Sequence, residues 1–299
     1  LTRCSSLVVN KSNLTHSGVS SSIQDGLTFS NIYGLRVQDR EISLNVADVL
    51  EVHAVFESSS SADPSVPTLT FNTFSGPNNN VSDLILGEIV IGNDSGAAGL
   101  VLEKSGTDKV LFINKNEHDF KLNETVTFNE SRVTAVLTDI NDGDRDIRDT
   151  FYVDNGQRDE FYDFARLIRR EKTSPPSKKL KIYFDKFTIN SVDSGEIITV
   201  NSYDSTLYDR LLSFDGIRNS DVVDFRPRVA DYSGSLSPFE WSSRNFGGTG
   251  QSVPNVLVTN ESIVFDYKYY VGRIDRLFLN QEGSFTFTIG AAKRNPVRP

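Results

Sequence analysis

Residues 84–140 contain an internal repeat, and this duplication constrains the fold more than any other feature of the chain. "GEIVIGNDSGAAGLVLE" (Gly87–Glu103) aligns after one gap with "NETVTFNESRVTAVLT" (Asn123–Thr138). Each copy reads as strand, Asn/Ser turn, strand, because apolar residues alternate on either side of a turn-forming cluster. The alternation predicts that Ile89 and Ile91 of the first copy, and Val126 and Phe128 of the second, face inward. "DKVLFINKN" (Asp108–Asn116) supplies a strand between them. Neither copy has the area to bury a core alone, so the pair is expected to close on itself as a small β-barrel or sandwich.

The flanking segments carry the same pattern. "GLTFSNIYGLRV" (Gly26–Val37) alternates, and the β-branched content of "VADVLEVHAVFES" (Val46–Ser58) favours a strand over a helix. Further strands are expected at 179–189, 195–200, 256–269 and 284–290. Ser/Pro- and Asn-rich loops fall at Ser58–Pro67 and Ser75–Asn80, and a Gly-rich loop at Asn245–Asn255. Helix is scarce. Asp154 and Gln157 have the spacing of a capping box, with Phe161, Phe164 or Ala165, and Ile168 on one helical face; a second short helix is expected at Thr206–Phe214. The expected fold is mainly β: several small β-sandwich or barrel-like domains with one or two short helices. The segments are 1–83, a β segment; 84–140, the repeat module; and 141–299, a C-terminal β domain entered through the charged hinge "DINDGDRDIRD" (Asp139–Asp149).

Charge and cysteine content narrow the function. A net charge of −9 without a basic block repels phosphate backbones, so nucleic acid is not an expected partner. The cluster Arg169, Arg170, Lys172, Lys178, Lys179 and Lys181 surrounds Pro175 and Pro176 and reads as a solvated linker. Cys4 is the only cysteine, which excludes an internal disulfide framework. No apolar run reaches the roughly 18 residues of a membrane span. Methionine is absent, and we read the chain as a piece of a longer polypeptide.

Catalytic and metal motifs are weak. Asp139, Asn141, Asp142, Asp144 and Asp146 miss the calcium-loop spacing. His16, His53 and His118 stand singly without ligand spacing, so zinc is not expected, and no cofactor is. No G-x-S-x-G elbow, phosphate loop or dinucleotide fingerprint occurs. Acid pairs suited to glycoside hydrolysis arise by accident among forty carboxylates. Trp241, the lone tryptophan, reads as a core or interface anchor more readily than as a sugar platform.

The richest stretch is "FYVDNGQRDEFYDFARLIRR" (Phe151–Arg170), where acids, arginines and aromatic rings interleave. Nearby guanidinium groups lower carboxylate pKa values and leave the acids as ionised acceptors for forked Arg contacts. Such groups fasten surfaces; they do not transfer protons. "DVVDFRPRV" (Asp221–Val229) and "YKYYVGRIDRLFL" (Tyr267–Leu279) repeat the chemistry. Asn155, Gly156, Gln157, Arg158, Asp159 and Tyr162 would shape a first joint. Asp224, Arg226, Pro227 and Arg228 would form a rigid turn beside it, and Tyr269, Tyr270, Arg273, Asp275 and Arg276 would close the seam.

Together the three segments, ending in "YYVGRIDRLFLNQEGSFTFTIGAAKRNPVRP", resemble a domain in large virion structural proteins of contractile-tailed phages, especially of cyanobacteria. The resemblance covers roughly residues 150–299 and rests on the N-G-Q-R-D, D-F-R-P-R and R-I-D-R motifs. The upstream repeat is similar to small β modules of phage tail proteins, departing at Asn123 and at Ser131–Arg132. The resemblance implies a tail, baseplate or fibre-base component without catalytic residues. Its partners would be other virion proteins and copies of itself, with assembly in a host cytoplasm. The rival readings are a host-glycan binding module using Asn245–Asn255, and a polysaccharide depolymerase.

Overall fold

A computed structural model of the chain describes residues 1–10, 34–188, 198, 202–204, 207, 210–234, 237–246, 260, 262, 264, 266 and 271–299. The strands are β1 (Thr2–Val9), β2 (Glu41–Ala47), β3 (Val49–Glu57), β4 (Thr68–Asn72), β5 (Ile89–Gly92), β6 (Ala98–Ser105), β7 (Lys109–Asn114), β8 (Thr125–Phe128) and β9 (Thr134–Asn141). They continue as β10 (Arg145–Asp146), β11 (Phe151–Asp154), β12 (Phe164–Arg169), β13 (Leu180–Lys186), β14 (Ser213–Phe214), β15 (Ile217–Arg218), β16 (Arg276–Leu279) and β17 (Phe285–Thr288). Among the described residues helix is confined to short 3-10 turns such as Val81–Asp83 and Trp241–Ser243, and the protein is mainly β. Two compact units result: Leu1–Ser191 with Arg226–Val256, and Val192–Phe225 with Leu257–Pro299.

In the first unit the repeat closes into a barrel, in the order β4-β7-β6-β5-β8-β9. A strand from before the repeat, β4, pairs with both β7 and β9 and so removes the sheet edges. The interior is filled by Leu69, Phe71, Val90, Val101, Val110, Val126, Phe128 and Leu137. Phe71 and Phe128 meet edge to face at 5.6 Å. Val126 and Phe128 point inward as the alternation requires. Ile89 and Ile91 do not: Val90 is fully buried, and Ile91 is exposed. Three consecutive apolar residues conceal which face is inner, and pairing with β8 decides it by setting Val90 opposite Phe128 and Gly92 opposite Val126.

The two copies hold each other. Glu88 Oε2 accepts from the backbone N–H groups of Glu130 (3.1 Å) and Ser131 (2.9 Å), and its Oε1 accepts from the Ser131 hydroxyl and the Ile85 N–H. Glu124 does the same for the other turn: Oε2 accepts from Asp94 (3.1 Å) and Ser95 (3.0 Å), and Oε1 from the Ser95 hydroxyl and the Lys121 N–H. Both carboxylates are buried. Each copy therefore supplies the acid that satisfies the turn of the other.

Backbone geometry repeats as well. Gly87 at φ +77° and Asn123 at φ +66° occupy equivalent left-handed positions, which Asn tolerates better than most side chains. Gly96 at φ +70° is matched by Arg132 at φ +63°. The Arg132 side chain is exposed. Arg132→Gly is expected to raise stability by about 0.5–1 kcal/mol, read as a higher urea midpoint at unchanged slope; a lower midpoint would contradict the equivalence.

The other strands of the first unit form a β-sandwich. One sheet has the order β1-β13-β3-β10 and the other β11-β12-β2. Val49, Val52, Val55, Leu180, Ile182 and Phe184 of the first sheet pack on Ile42, Leu44, Phe151, Ala165 and Leu167 of the second. Strands from either side of the barrel segment thus share each sheet. The chain switches sheets at Asp48, buried at φ +56° between β2 and β3. The outer wall of the barrel, at Leu100, Leu102, Leu111 and Ile113, packs on the free face of the first sheet at Ala54, Phe56 and Tyr183.

The helix expected from Asp154 does not form. Asp154 Oδ1 does accept a backbone N–H, but from Gly156 at 2.9 Å, which makes an Asx turn in a hairpin. Cross-strand pairing wins: Asp154 sits opposite Arg166, and Gln157 bridges Tyr162. Gly156 at φ +85° lets this loop close, since a Cβ there would collide with the Asp163 carbonyl oxygen. The second expected helix, Thr206–Phe214, lies partly outside the described residues and ends in β14. The strands expected at 195–200 and 256–269 lie almost wholly outside them.

In the second unit, β16 and β17 form a hairpin turned at Asn280, whose Oδ1 accepts from the Glu282 and Ser284 N–H groups. Leu277 faces Phe287 and Leu279 faces Phe285 across it. All four share one face, since residues two apart on a strand do. Each is between 63% and 67% exposed.

Candidate functional site: a joint of arginine, carboxylate and aromatic side chains

The Phe151–Arg170 hairpin and the segment after Phe225 meet at Tyr162. Tyr162 donates its N–H to the Pro227 carbonyl and accepts from the Val229 N–H, so Arg226–Val229 runs beside it as an added strand. Alternation sends Arg226 and Arg228 to the ring of Tyr162, with guanidinium carbons 4.4 Å and 4.0 Å from its centroid. Arg226 also donates to the Tyr162 hydroxyl at 2.9 Å and to the Arg158 carbonyl at 3.1 Å. Arg228 reaches further, donating from Nε to Asp48 Oδ2 at 2.8 Å, with Nη2 2.6 Å from the same oxygen. Both members of that pair are buried. The turn between β2 and β3 is thereby tied to the hairpin and to the added segment at once.

Three more arginines surround this centre, two of them as forks. Arg158 grips Asp154 at both oxygens, at 3.1 and 2.8 Å. Arg244 grips Asp163 in the same way, at 2.8 Å for each contact. Arg166, opposite Asp154, binds Glu41 of β2 at 2.7 Å and lies 4.6 Å from the Phe239 ring. Burial works to raise the Asp154 carboxyl, but the Arg158 hydrogen bonds, the Gly156 N–H and the neighbouring arginine charges outweigh it and hold the group below its usual range. An acid kept ionised in this way accepts hydrogen bonds and is a poor proton donor. The arrangement suits fastening, not acid–base chemistry.

Asn155 and Gln157 are part of the loop backbone: Asn155 Oδ1 accepts the Gln157 N–H at 3.3 Å. Asp159 is exposed. Asp224 belongs to the second unit, where its backbone pairs with Ile198. Arg273, Asp275 and Arg276 also belong there. Arg273 Nε lies 3.0 Å from both Asp275 oxygens. The Gly290 N–H, more than the Arg273 contact, holds the Asp275 carboxyl below its usual range. Arg276 opens β16 opposite Thr288. Tyr269 and Tyr270 lie outside the described residues. The first group therefore shares a unit with Arg226–Arg228 of the second, while Asp224, Arg273, Asp275 and Arg276 belong to the other unit.

Motif reading did not single out Asp48, Glu41 or Arg244 as joint members. Asp48 carried a signal, as the acid in the apolar run "VADVL" (Val46–Leu50). Arg244 carried none. Trp241 is not a core residue: it is 66% exposed and meets Phe161 edge to face at 5.6 Å. The basic cluster is partly paired, with Lys179 on Asp63 and Lys181 on Glu103, both at 2.8 Å. Asp144 in the hinge serves as a backbone clamp, accepting from Ser59 and Ser65. No helix among the described residues is long and apolar enough to cross a membrane.

Comparison with known proteins leaves the chain without a match among protein-family models, curated proteins or solved structures.

Proposed function

We propose that the chain is a structural subunit of a phage tail or baseplate that joins neighbouring virion subunits and has no catalytic role. The motif resemblance over residues 150–299 points to that setting, and the joint around Tyr162 supplies the stiffness such a part requires. The observation that carries the assembly reading is the β16–β17 hairpin. Its face of Leu277, Leu279, Phe285 and Phe287 is exposed. A two-stranded hairpin is marginal in water without a cover, and a contiguous apolar face of this kind marks an interaction surface. The proposed cover is the same face of another copy.

Sedimentation of the 299-residue chain tests this. The parent should self-associate, and a Leu279→Asp/Phe287→Asp variant should dissociate with a Kd weaker by about 30-fold or more. A parent that stays monomeric at tens of micromolar sinks the reading. The exposed Trp241 ring favours a second reading, host-glycan binding. In that case a monomeric parent would show quenching of its single tryptophan by host lipopolysaccharide or capsule.

A further inference from the structure

Three buried side chains with metal-binding atoms converge where the sandwich meets the barrel. Cys4 of β1, His53 of β3 and Asp185 of β13 come from three adjacent strands, and their ligand atoms all lie within 4.8 Å of one another. We propose that they form a closed structural site for a divalent, thiolate-binding metal ion of the Zn2+ type.

The backbone is irregular just here. Between β13 and β3 the register shifts at Tyr183/Phe184, leaving His53 as the extra residue, and shifts again at Asp185/Lys186. Between β1 and β13 it shifts between Thr2 and Ser5, and Cys4 takes a left-handed φ of +53°. Bulges re-aim side chains, and these flank a single aspartate. The Cys4 N–H donates to Asp185 Oδ1 at 2.8 Å. His53 Nε2 lies 2.9 Å from that same oxygen, yet neither ring nitrogen makes an aligned hydrogen bond, although the side chain is only 5% exposed. Close approach without alignment is what ligand atoms aimed at a common centre would give.

The donor set chooses the ion. Bonds of about 2.0–2.3 Å to N, O and S place tetrahedral ligand atoms roughly 3.5 Å apart, within reach of small inward movements. One thiolate and one carboxylate cancel a double positive charge and neutral imidazole adds none, so the occupied site is neutral in apolar surroundings. Glu51 Oε1 stands 3.6 Å from His53 Nδ1, where a carboxylate orients a ligating imidazole from behind. Cys4 Sγ is 3.4 Å from the Val101 carbonyl oxygen of β6, so the fourth position falls to that carbonyl. A nucleophilic role is a poor fit: Cys4 is buried, and burial first, then the Asp185 charge, push its thiol up to about 12. A bound cation would deprotonate it.

Refolding the chain from urea with Co2+ tests the site, since closed sites load during folding. One equivalent should bind and give near-ultraviolet sulfur-to-cobalt absorption with the visible bands of tetrahedral Co2+, both bleached by Zn2+. Cys4 is the only cysteine, so that absorption reports this site without a variant. Asp185→Asn and His53→Gln should weaken binding at least about 100-fold, and Glu51→Gln about tenfold. A folded parent that gives no sulfur-to-cobalt absorption overturns the proposal. So does absorption that persists undiminished in folded Asp185→Asn and His53→Gln. Should those variants fail to fold, the spectrum of the parent decides.

Discussion

Arg228→Met should cost about 3–5 kcal/mol of folding stability, because it leaves Asp48 as an uncompensated charge in a buried site. The Arg228–Asp48 pair is shielded, at 4% and 3% side-chain exposure, and the same guanidinium stacks on the buried Tyr162 ring. Desolvated cation–π contact adds about 2 kcal/mol that an exposed pair would lack. Urea unfolding is the measurement. Asp48→Asn preserves a side chain that tolerates the left-handed backbone at this position, and the double variant should recover part of the loss, since no lone charge then remains. A loss for Arg228→Met below about 1 kcal/mol, the range of surface ion pairs, would mean that water reaches the joint.

Glu124→Ala should cost a comparable amount, about 4 kcal/mol, through a different mechanism. It strips the acceptor from two backbone N–H groups and one hydroxyl at a turn that belongs to the other repeat copy, and from the Lys121 N–H beside it. Buried donors left without a partner cost about 1–3 kcal/mol each, and partial rehydration keeps the total below the sum. The same carboxylate predicts a pH dependence. Burial tends to raise it, but the hydrogen bonds from Lys121, Ser95 and Asp94 prevail and hold it below its usual range. A lowered folded-state pKa gives stability that is complete above the unfolded value of about 4.3 and is lost as pH falls through the folded value. Stability of the parent should therefore fall as pH drops below about 4.3, with a shallower fall in Glu124→Gln. Equal slopes would contradict the assigned role.

Much of this was legible in the residues. The repeat announced a closed β module, and its aligned Glu88 and Glu124 proved to be the acids that cross between copies. The interleaved acids, arginines and rings of Phe151–Arg170 announced forked Arg–carboxylate contacts, and Asp154 and Asp163 each accept one. Other features were hidden for definite reasons. Asp154 and Gln157 satisfy a helix-start pattern, but the same acceptor serves an Asx turn, and only the partner strand distinguishes the two. The inner face of β5 is ambiguous in Ile89-Val90-Ile91 until β8 is paired with it. Cys4, His53 and Asp185 escape any spacing rule because such rules read ligands along one segment, whereas these lie on three neighbouring strands. For the same reason Arg244, distant in sequence from Asp163, has no motif to mark it.

The exchanged carboxylates of the barrel make its tandem halves mutually dependent. Either half, excised, would carry a latch with nothing to close and a bend with nothing to close it. A chain that lost one copy by recombination would lose the other as a folded object too, so the duplication is preserved by mechanics, whatever selected it at first.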